Sequence, residues 1–140
     1  MHVLICDDDA AFGARMADYI HDYFEARSVQ LQTVVCTGAA EALRTPYLEL
    51  YQLAFLDVDM PGTNGIALGR ELKQRSPDIR LVYVSAYLEF APEGYTVNAY
   101  RYLLKRDIAR MLPKCLDDLL AAFTDQHRTL TVHHNRATSE

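Results

Sequence analysis

Four acidic side chains stand out because they follow two short apolar runs: Asp7, Asp8, Asp57 and Asp59. The run Leu53–Leu56 leads directly into Asp57, and the run Val3–Cys6 leads into Asp7. Apolar runs this short are typical of buried strands in a parallel sheet. Carboxylates that converge repel one another, and a hard cation such as Mg2+ makes their arrangement stable. We therefore expect a cation site, shared with a phosphate group, where these strands end.

A hydroxyl and an ammonium group close two later apolar runs. Ser85 ends the run that begins at Arg80, and Lys105 follows the run Tyr100–Leu104. In such a site Asp57 can attack phosphorus as an oxygen nucleophile and form an acyl phosphate. Mg2+ and the Lys105 ammonium would neutralise charge on the transferred group, and the Ser85 hydroxyl would hydrogen-bond one of its oxygens. The residue types therefore predict phosphoryl transfer.

The elements that must position these residues alternate along the chain. Strands are expected at His2–Cys6, Gln30–Cys36, Leu53–Asp57, Arg80–Ser85 and Tyr100–Leu104. Helices are expected at Ala10–Phe24, from Ala39 to near Pro46, from Asn64-Gly65 through Leu72 to Ser76 at the latest, at Glu89–Val97 and in a last stretch that begins at Asp107 or Leu112 and ends at Phe123. In the first of these helices, Phe12, Met16 and Ile20 recur at helical spacing. Alternating strands and helices predict a parallel sheet with helices on both faces.

Short right-handed connections leave few arrangements for five such strands. We predict an α/β fold, a single flavodoxin-like (βα)5 doubly wound parallel sheet with strand order 2-1-3-4-5. This order places the first and third strands side by side, so that Asp7, Asp8 and Asp57 meet at one edge of the sheet. Ser85 and Lys105, at the ends of the fourth and fifth strands, would close the other side of the site.

Composition limits the class of protein. The chain has 140 residues and a formal net charge of -5, which argues against nucleic acid as a direct partner. It has no apolar run long enough to span a membrane, and we expect no membrane association and a cytoplasmic location. Cys6, Cys36 and Cys115 lack CxxC spacing and are expected to be reduced thiols in the core. We expect one domain over residues 1–124, followed by a polar stretch, 125–140, that is a linker or the start of a missing output domain.

Over about residues 1–124 the chain resembles the receiver domains of response regulators in two-component signalling. Four motifs in order carry the resemblance: Cys6-Asp7-Asp8-Asp9, Leu56-Asp57-Val58-Asp59-Met60-Pro61-Gly62, Val84-Ser85-Ala86-Tyr87 and Tyr102-Leu103-Leu104-Lys105. The stretches Met60–Gly65 and Ala99–Lys105 are most similar to regulators with a LytTR-type DNA-binding output domain. Each motif alone is weak, but all four together, each at a strand end, are specific.

The resemblance implies a role for each acid. Asp57 would be the phosphoacceptor, supplied by a phosphohistidine on a sensor histidine kinase. Asp8 would be the main Mg2+ ligand, Asp7 would assist through a water molecule, and the backbone carbonyl of Asp59 would be a further ligand. Such a chain is not an enzyme beyond slow self-phosphorylation and self-dephosphorylation.

The resemblance also implies a switch. Ser85 and Lys105 would hold the phosphoryl group, and Tyr102 would turn inward as Ser85 moves toward it. Ala86, which flanks the site, is small, as a route to the phosphoryl group requires. Asp59 and Tyr87 would flank the site and tune the removal of the phosphoryl group by water. The change would control homodimerisation through the region Tyr87–Leu104 and the last helix. A missing DNA-binding output domain would then regulate transcription.

One departure from the family concerns the residue after Lys105. Related sequences usually have a proline there, often after a cis peptide bond, whereas this chain has Arg106. A cis bond before a residue other than proline costs about 2.5–4 kcal/mol. We therefore expect either a trans bond with a shifted loop or a strained cis bond.

Two other functions remain open from the sequence. Asp57 and Asp59 also resemble the paired acids of Mg-dependent haloacid-dehalogenase-type phosphatases, in which the second acid protonates the leaving group. The usual threonine-bearing loop and a cap domain are absent, and the acids Asp7 and Asp8 favour the receiver. A third reading is an interaction module or flavin binder of the same fold, but acids after the first strand would repel a flavin phosphate.

Overall fold

The structure, a computed structural model, describes residues 1–62, 64–86 and 99–139, with side chains described as far as residue 125. Its strands are β1 His2–Cys6, β2 Gln32–Cys36, β3 Leu53–Asp57, β4 Arg80–Ser85 and β5 Arg101–Leu104. Its α-helices are α1 Ala10–Glu25, α2 Ala39–Leu43, α3 Gly65–Arg75 and α4 Ile108–Ser139. Short 3-10 turns lie at Leu48–Leu50 and Lys105–Asp107. The helix expected at Glu89–Val97 lies outside the described residues.

The five strands form one sheet in the order β2-β1-β3-β4-β5, and every pair is parallel. The predicted strand order is therefore confirmed. Because all strands run in the same direction, their carboxyl ends lie along one edge of the sheet. The central strand β3 is buried along its whole length, as its continuous apolar run predicts.

Helices α1 and α3 lie on opposite faces of this sheet. A Cβ placed on Gly13 of α1 would lie 3.2 Å from Val35 of β2, and one placed on Gly69 of α3 would lie 3.0 Å from Leu81 of β4. Val35 pairs with Ile5, Ile5 pairs with Phe55, and Phe55 pairs with Val82. These four side chains therefore point to the same face of the sheet. Leu81 precedes Val82 and points to the other face, since successive side chains alternate.

The face toward α3 holds a cluster of buried apolar residues. Its members include Leu4, Cys6, Leu56, Ile66, Leu68, Leu72, Leu81 and Tyr83. Such burial is the main source of stability for a domain of this size. The three cysteines are free thiols, as predicted, and burial raises the pKa of Cys6 to about 12. That thiol therefore stays protonated and unreactive at neutral pH.

The last helix is longer than its apolar pattern indicates. We expected it to end at Phe123, but α4 continues to Ser139 and contains Pro113 near its beginning. Each residue added to an existing helix gains one backbone hydrogen bond, so polar residues extend it without an apolar stripe. The chain divides into two compact units, Met1–Ile108 and the part from Ala109 onward. None of the described helices combines the length and apolarity that crossing a bilayer requires.

Candidate functional site

Three of the predicted acids meet at the carboxyl edge of the sheet. Asp7 directly follows β1 and Asp57 is the last residue of β3, the strand beside β1. Carboxylate oxygens of Asp7, Asp8 and Asp57 all lie within 4.8 Å of one another. Asp7 and Asp57 are each only 3% exposed, whereas Asp8 is exposed. The cluster is therefore a buried pair of acids with a third acid at the solvent boundary.

Lys105 brings one positive charge to this cluster from the end of β5. Its Nζ lies 2.9 Å from Oδ2 of Asp7 and 3.5 Å from Oδ2 of Asp57. The peptide bond between Lys105 and Arg106 is trans, since every peptide bond in the described ranges is trans. The chain continues from Lys105 as a 3-10 turn that ends at Asp107. Of the two alternatives expected for this loop, the structure has the trans bond.

Backbone amides fix the two buried carboxylates in the same way. The N–H of Asp9 donates to Oδ1 of Asp7 at 2.8 Å, and the N–H of Asp59 donates to Oδ1 of Asp57 at 3.2 Å. Each acid thus accepts a hydrogen bond from the residue two positions later, as Asp side chains do in Asx turns. This bond holds one oxygen of each carboxylate and leaves the other directed at Lys105.

The beginning of helix α3 packs directly against the end of β3, which carries Asp57. The N–H of Gly65, the first residue of α3, donates to the carbonyl of Val58 at 2.9 Å. A Cβ at Gly65 would collide with the backbone carbonyl of Asp57. Glycine is therefore required at this position because the helix begins in direct contact with the strand end that carries the acid.

Burial and like charge dominate the electrostatics of Asp57. Burial, the charge of Asp7 and a hydrogen bond with Asp8 raise the pKa of Asp57 from 3.8 to about 7, against the opposing effects of Lys105 and the Asp59 amide. Burial alone would lower the pKa of Lys105, but its hydrogen bond to Asp7 and the charges of both acids raise it. Lys105 therefore stays charged, but its single positive charge does not balance the negative charges of Asp7, Asp8 and Asp57.

The shortage of positive charge makes the cluster a fitting site for a hard cation. Three carboxylates face one ammonium group, and all three offer oxygen atoms within 4.8 Å of one another. Mg2+ prefers a few carboxylate or carbonyl oxygens and keeps its remaining positions for water and phosphate oxygens. Asp7, Asp8 and Asp57 fit this preference, and the exposed Asp8 leaves the site open to solvent.

The remaining predicted residues occupy the neighbouring strand ends. Ser85 ends β4 and is fully buried, while Ala86 after it and Asp59 after β3 are exposed. Tyr102 on β5 is half-buried, packs against the core and is level with Tyr83 of β4. The predicted flanking residue Tyr87 lies outside the described residues. Among the described ones, Ser85, Ala86 and Asp59 thus lie at the carboxyl edge of the sheet, and Tyr102 lies within β5.

One residue at the site is not singled out by the sequence patterns. The ring of Phe12, in the first turn of α1, lies 4.6 Å from the Nζ of Lys105. In the sequence, Phe12 belongs to the apolar stripe of α1 and resembles any other core position. Only its place one turn after the acidic motif distinguishes it, and that signal becomes visible with the fold.

Comparison with known families decides what class of protein carries this site. The family model of the response regulator receiver domain matches residues 3–116. The chain belongs to this family. Receiver domains are the regulatory, phosphoaccepting parts of two-component response regulators, and this membership does not favour the phosphatase alternative.

Several curated relatives are similar to this receiver domain. An uncharacterised response regulatory protein of Shewanella oneidensis is 33% identical over 125 residues, which cover 88% of this chain and 50% of that protein. The sensory transduction protein LytT of Enterococcus faecalis is 29% identical over 75% of this chain and 42% of its own length. The positive alginate biosynthesis regulatory protein of Pseudomonas aeruginosa is 29% identical over 81% of this chain and 46% of its own length. The chain spans about half the length of these relatives.

Solved structures agree with the fold. The response regulatory domain of MrkE from Klebsiella pneumoniae has a TM-score of 0.73 at 21% identity, over 89% of this chain and 99% of that one. The response regulator TrrA from Thermotoga maritima, in complex with Mg2+ and BeF, has a TM-score of 0.62 at 20% identity, over 84% of this chain and 97% of that one. At these identities the likeness establishes the flavodoxin-like fold of the receiver domain.

Proposed function

We propose that Asp57 is the phosphoacceptor of this receiver domain and takes its phosphoryl group from a phosphohistidine on a sensor histidine kinase. The observation that carries the proposal is the buried Asp57 carboxylate, which ends the central strand beside two further acids and a lysine. An Asp57 oxygen attacks phosphorus, the bond between phosphorus and the histidine nitrogen breaks, and an aspartyl phosphate forms. The histidine keeps the electron pair of the broken bond and is restored.

Different residues around Asp57 would bind Mg2+ and the phosphoryl group. Asp8 would ligate Mg2+ directly, Asp7 would assist through water, and the backbone carbonyl of Asp59 would be a further ligand. When bound, Mg2+ supplies positive charge that offsets the charge of the phosphoryl oxygens. Lys105 neutralises further charge on the same group, and Ser85 donates a hydrogen bond to one of its oxygens. The short contacts of Lys105 with two of the acids support its part in this scheme.

The switch would involve β4 and β5. Ser85 moves toward the phosphoryl group, and Tyr102, which is half-buried against the core, turns further inward. A conformation that is rare without the phosphoryl group becomes the main one. The small Ala86 leaves a route to the phosphoryl group, and Asp59 and Tyr87 flank the site and set how fast water removes that group. Catalysis is limited to slow self-phosphorylation and self-dephosphorylation.

The output lies in the part of the relatives that this chain does not span. The similarity to LytT supports a receiver domain of the LytTR type over residues 1–124, with 125–140 leading to a DNA-binding output domain. Phosphorylation would promote a homodimer through the region Tyr87–Leu104 and the last helix, and the output domains would then regulate transcription. A cytoplasmic location stays a prediction from the sequence.

Intact mass measurement tests the central proposal. The wild type is incubated with acetyl phosphate and Mg2+, and the expected result is one added phosphoryl group. The group should be absent without Mg2+ and in Asp57→Asn, and it should remain in the control Asp18→Asn, whose exposed carboxylate lies on α1. No added mass in the wild type, or added mass in Asp57→Asn, would refute the proposal. Size-exclusion chromatography of the same samples then tests dimerisation.

A further inference from the structure

The ring of Phe12 lies near two cations at the edge of the proposed phosphorylation site. The Nζ of Lys105 lies 4.6 Å from the ring centroid, and the guanidinium carbon of Arg15 lies 5.8 Å from it. Both distances fall within the range of cation–π attraction, which extends to about 6 Å. Phe12 itself is half-buried, so that it belongs neither to the core nor to the open surface.

The backbone of Phe12 is tied to the loop that carries Asp7. Asp9 caps α1 by accepting a hydrogen bond from the N–H of Phe12 at 3.1 Å, and the N–H of Asp9 donates to Asp7 at 2.8 Å. One short chain of hydrogen bonds therefore links the ring's backbone to the carboxylate that contacts Lys105. These bonds restrain the backbone from which the ring of Phe12 extends.

The other two described contacts of Lys105 change during the proposed reaction. Asp57 would become an acyl phosphate, and Asp7 would assist in holding Mg2+ through water. Both carboxylates then attract Lys105 less than they do at 2.9 Å and 3.5 Å. The neutral ring of Phe12 takes no part in the proposed reaction, so its attraction for the Lys105 ammonium persists throughout.

We propose that Phe12 is a positioning residue that holds the Lys105 ammonium in place for the phosphoryl group. This inference rests on the proposed function, because the role of Lys105 belongs to it. Lys105 reaches the site from a 3-10 turn that continues into the exposed Arg106, and the ring limits the directions open to its long side chain. The contact thus restricts the rotamers of Lys105 before the phosphoryl group arrives.

A spectroscopic measurement tests the contact without any phosphorylation. The ring current of an aromatic face moves the proton resonances of groups above it upfield. The Lys105 methylene protons next to Nζ, assigned with the variant Lys105→Met, are expected upfield in the wild type and in Phe12→Tyr. They are expected at ordinary positions in Phe12→Leu, and unchanged in the control Arg15→Ala, which removes only the other cation from the ring. An ordinary position in the wild type would overturn the proposal.

Phosphorylation rates with acetyl phosphate and Mg2+ then test the consequence. Phe12→Leu is expected to react about two- to fivefold more slowly, the range that one cation–π contact at a partly exposed site supplies. Phe12→Tyr should restore the wild-type rate, which a merely structural role of the phenylalanine would not require. Equal rates in all three proteins would overturn positioning. If the wild type takes no phosphoryl group, the proposed function fails, and the chemical shift alone decides whether Phe12 holds Lys105.

Discussion

Lys105 lies closer to Asp7 than to the proposed phosphoacceptor. Its Nζ is 2.9 Å from Asp7 and 3.5 Å from Asp57, although both carboxylates are almost fully buried. In this arrangement the Lys105 ammonium offsets the negative charge of Asp7, the acid that the proposed reaction leaves unmodified. Asp57 has the longer contact with Lys105 through Oδ2, and its Oδ1 accepts a hydrogen bond from the Asp59 amide at 3.2 Å.

Removal of the lysine charge should raise the pKa of Asp57 further. The charge of Lys105 lowers this pKa, which burial and Asp7 raise to about 7. In Lys105→Met, carboxyl-carbon NMR titration without Mg2+ should therefore place the pKa of Asp57 above its wild-type value. The control Lys73→Met removes a lysine on α3 and should leave the titration unchanged. A lower pKa in Lys105→Met would contradict the electrostatic account.

The raised pKa of Asp57 predicts how stability depends on pH. The folded value of about 7 lies above the unfolded value near 3.8, so this group stabilises the fold below pH 3.8 and the contribution is lost as the pH rises through 7. Asp57→Asn removes this pH-dependent loss of folding stability, which is on the order of a few kcal/mol. Urea denaturation in EDTA should thus show the variant gaining stability over the wild type from pH 4 to pH 8. An unchanged difference across this range would refute the assignment.

Mg2+ should stabilise the receiver domain. A ligand that binds only the folded state at one hundred times its Kd adds about 2.7 kcal/mol to the free energy of unfolding. Thermal denaturation with Mg2+ and with EDTA should therefore give a higher Tm for the wild type in Mg2+. The increase should be lost in Asp8→Asn, whose exposed side chain has little part in packing, and kept in Asp18→Asn. An equal increase in both variants would exclude Asp8 as a ligand.

A methyl group at Gly65 should destabilise the domain. The Cβ of Gly65→Ala would collide with the backbone carbonyl of Asp57, and overpacking of this kind costs about 1–3 kcal/mol. The matched control is Gly38→Ala, because a Cβ there meets no atom within 4 Å. Urea denaturation should show a loss for Gly65→Ala and a change within about 0.5 kcal/mol for Gly38→Ala. Equal effects of the two substitutions would mean that the contact with Asp57 is not tight.

The strand order of the sheet and the meeting of Asp7, Asp8 and Asp57 at its edge could be predicted because they depend on local patterns. Short apolar runs closed by polar residues mark the strands, and the rules for right-handed connections leave few orders of five strands. Once the order is known, Asp7 and Asp57 must be neighbours, because β1 and β3 are. Lys105 follows a strand that is not a neighbour of β1 or β3, so strand order places it only at the same edge, and its contacts with both acids depend on the reach of its long side chain.

The surroundings of these residues could not be predicted in the same way. Helical spacing groups Phe12 with Met16 and Ile20, but the structure buries only the latter two in the core. Periodicity indicates which face of a helix is apolar, whereas the contact of one ring with Lys105 depends on where α1 begins relative to β5. The length of α4 was also missed, because apolar spacing stops at Phe123 while backbone hydrogen bonding continues to Ser139.

The order of the strands has a consequence for newly made chains. Asp57 and Lys105 are separated by 48 positions, and the latter follows the last strand of the sheet to be synthesised. A nascent chain that ends before β5 therefore presents the acceptor acid without its ammonium partner. The same is true of a chain in which the edge strand has detached. Under the proposed mechanism Lys105 neutralises charge on the phosphoryl group, so a chain that lacks β5, or has lost it from the sheet, is expected to accept that group more slowly than the completely folded domain.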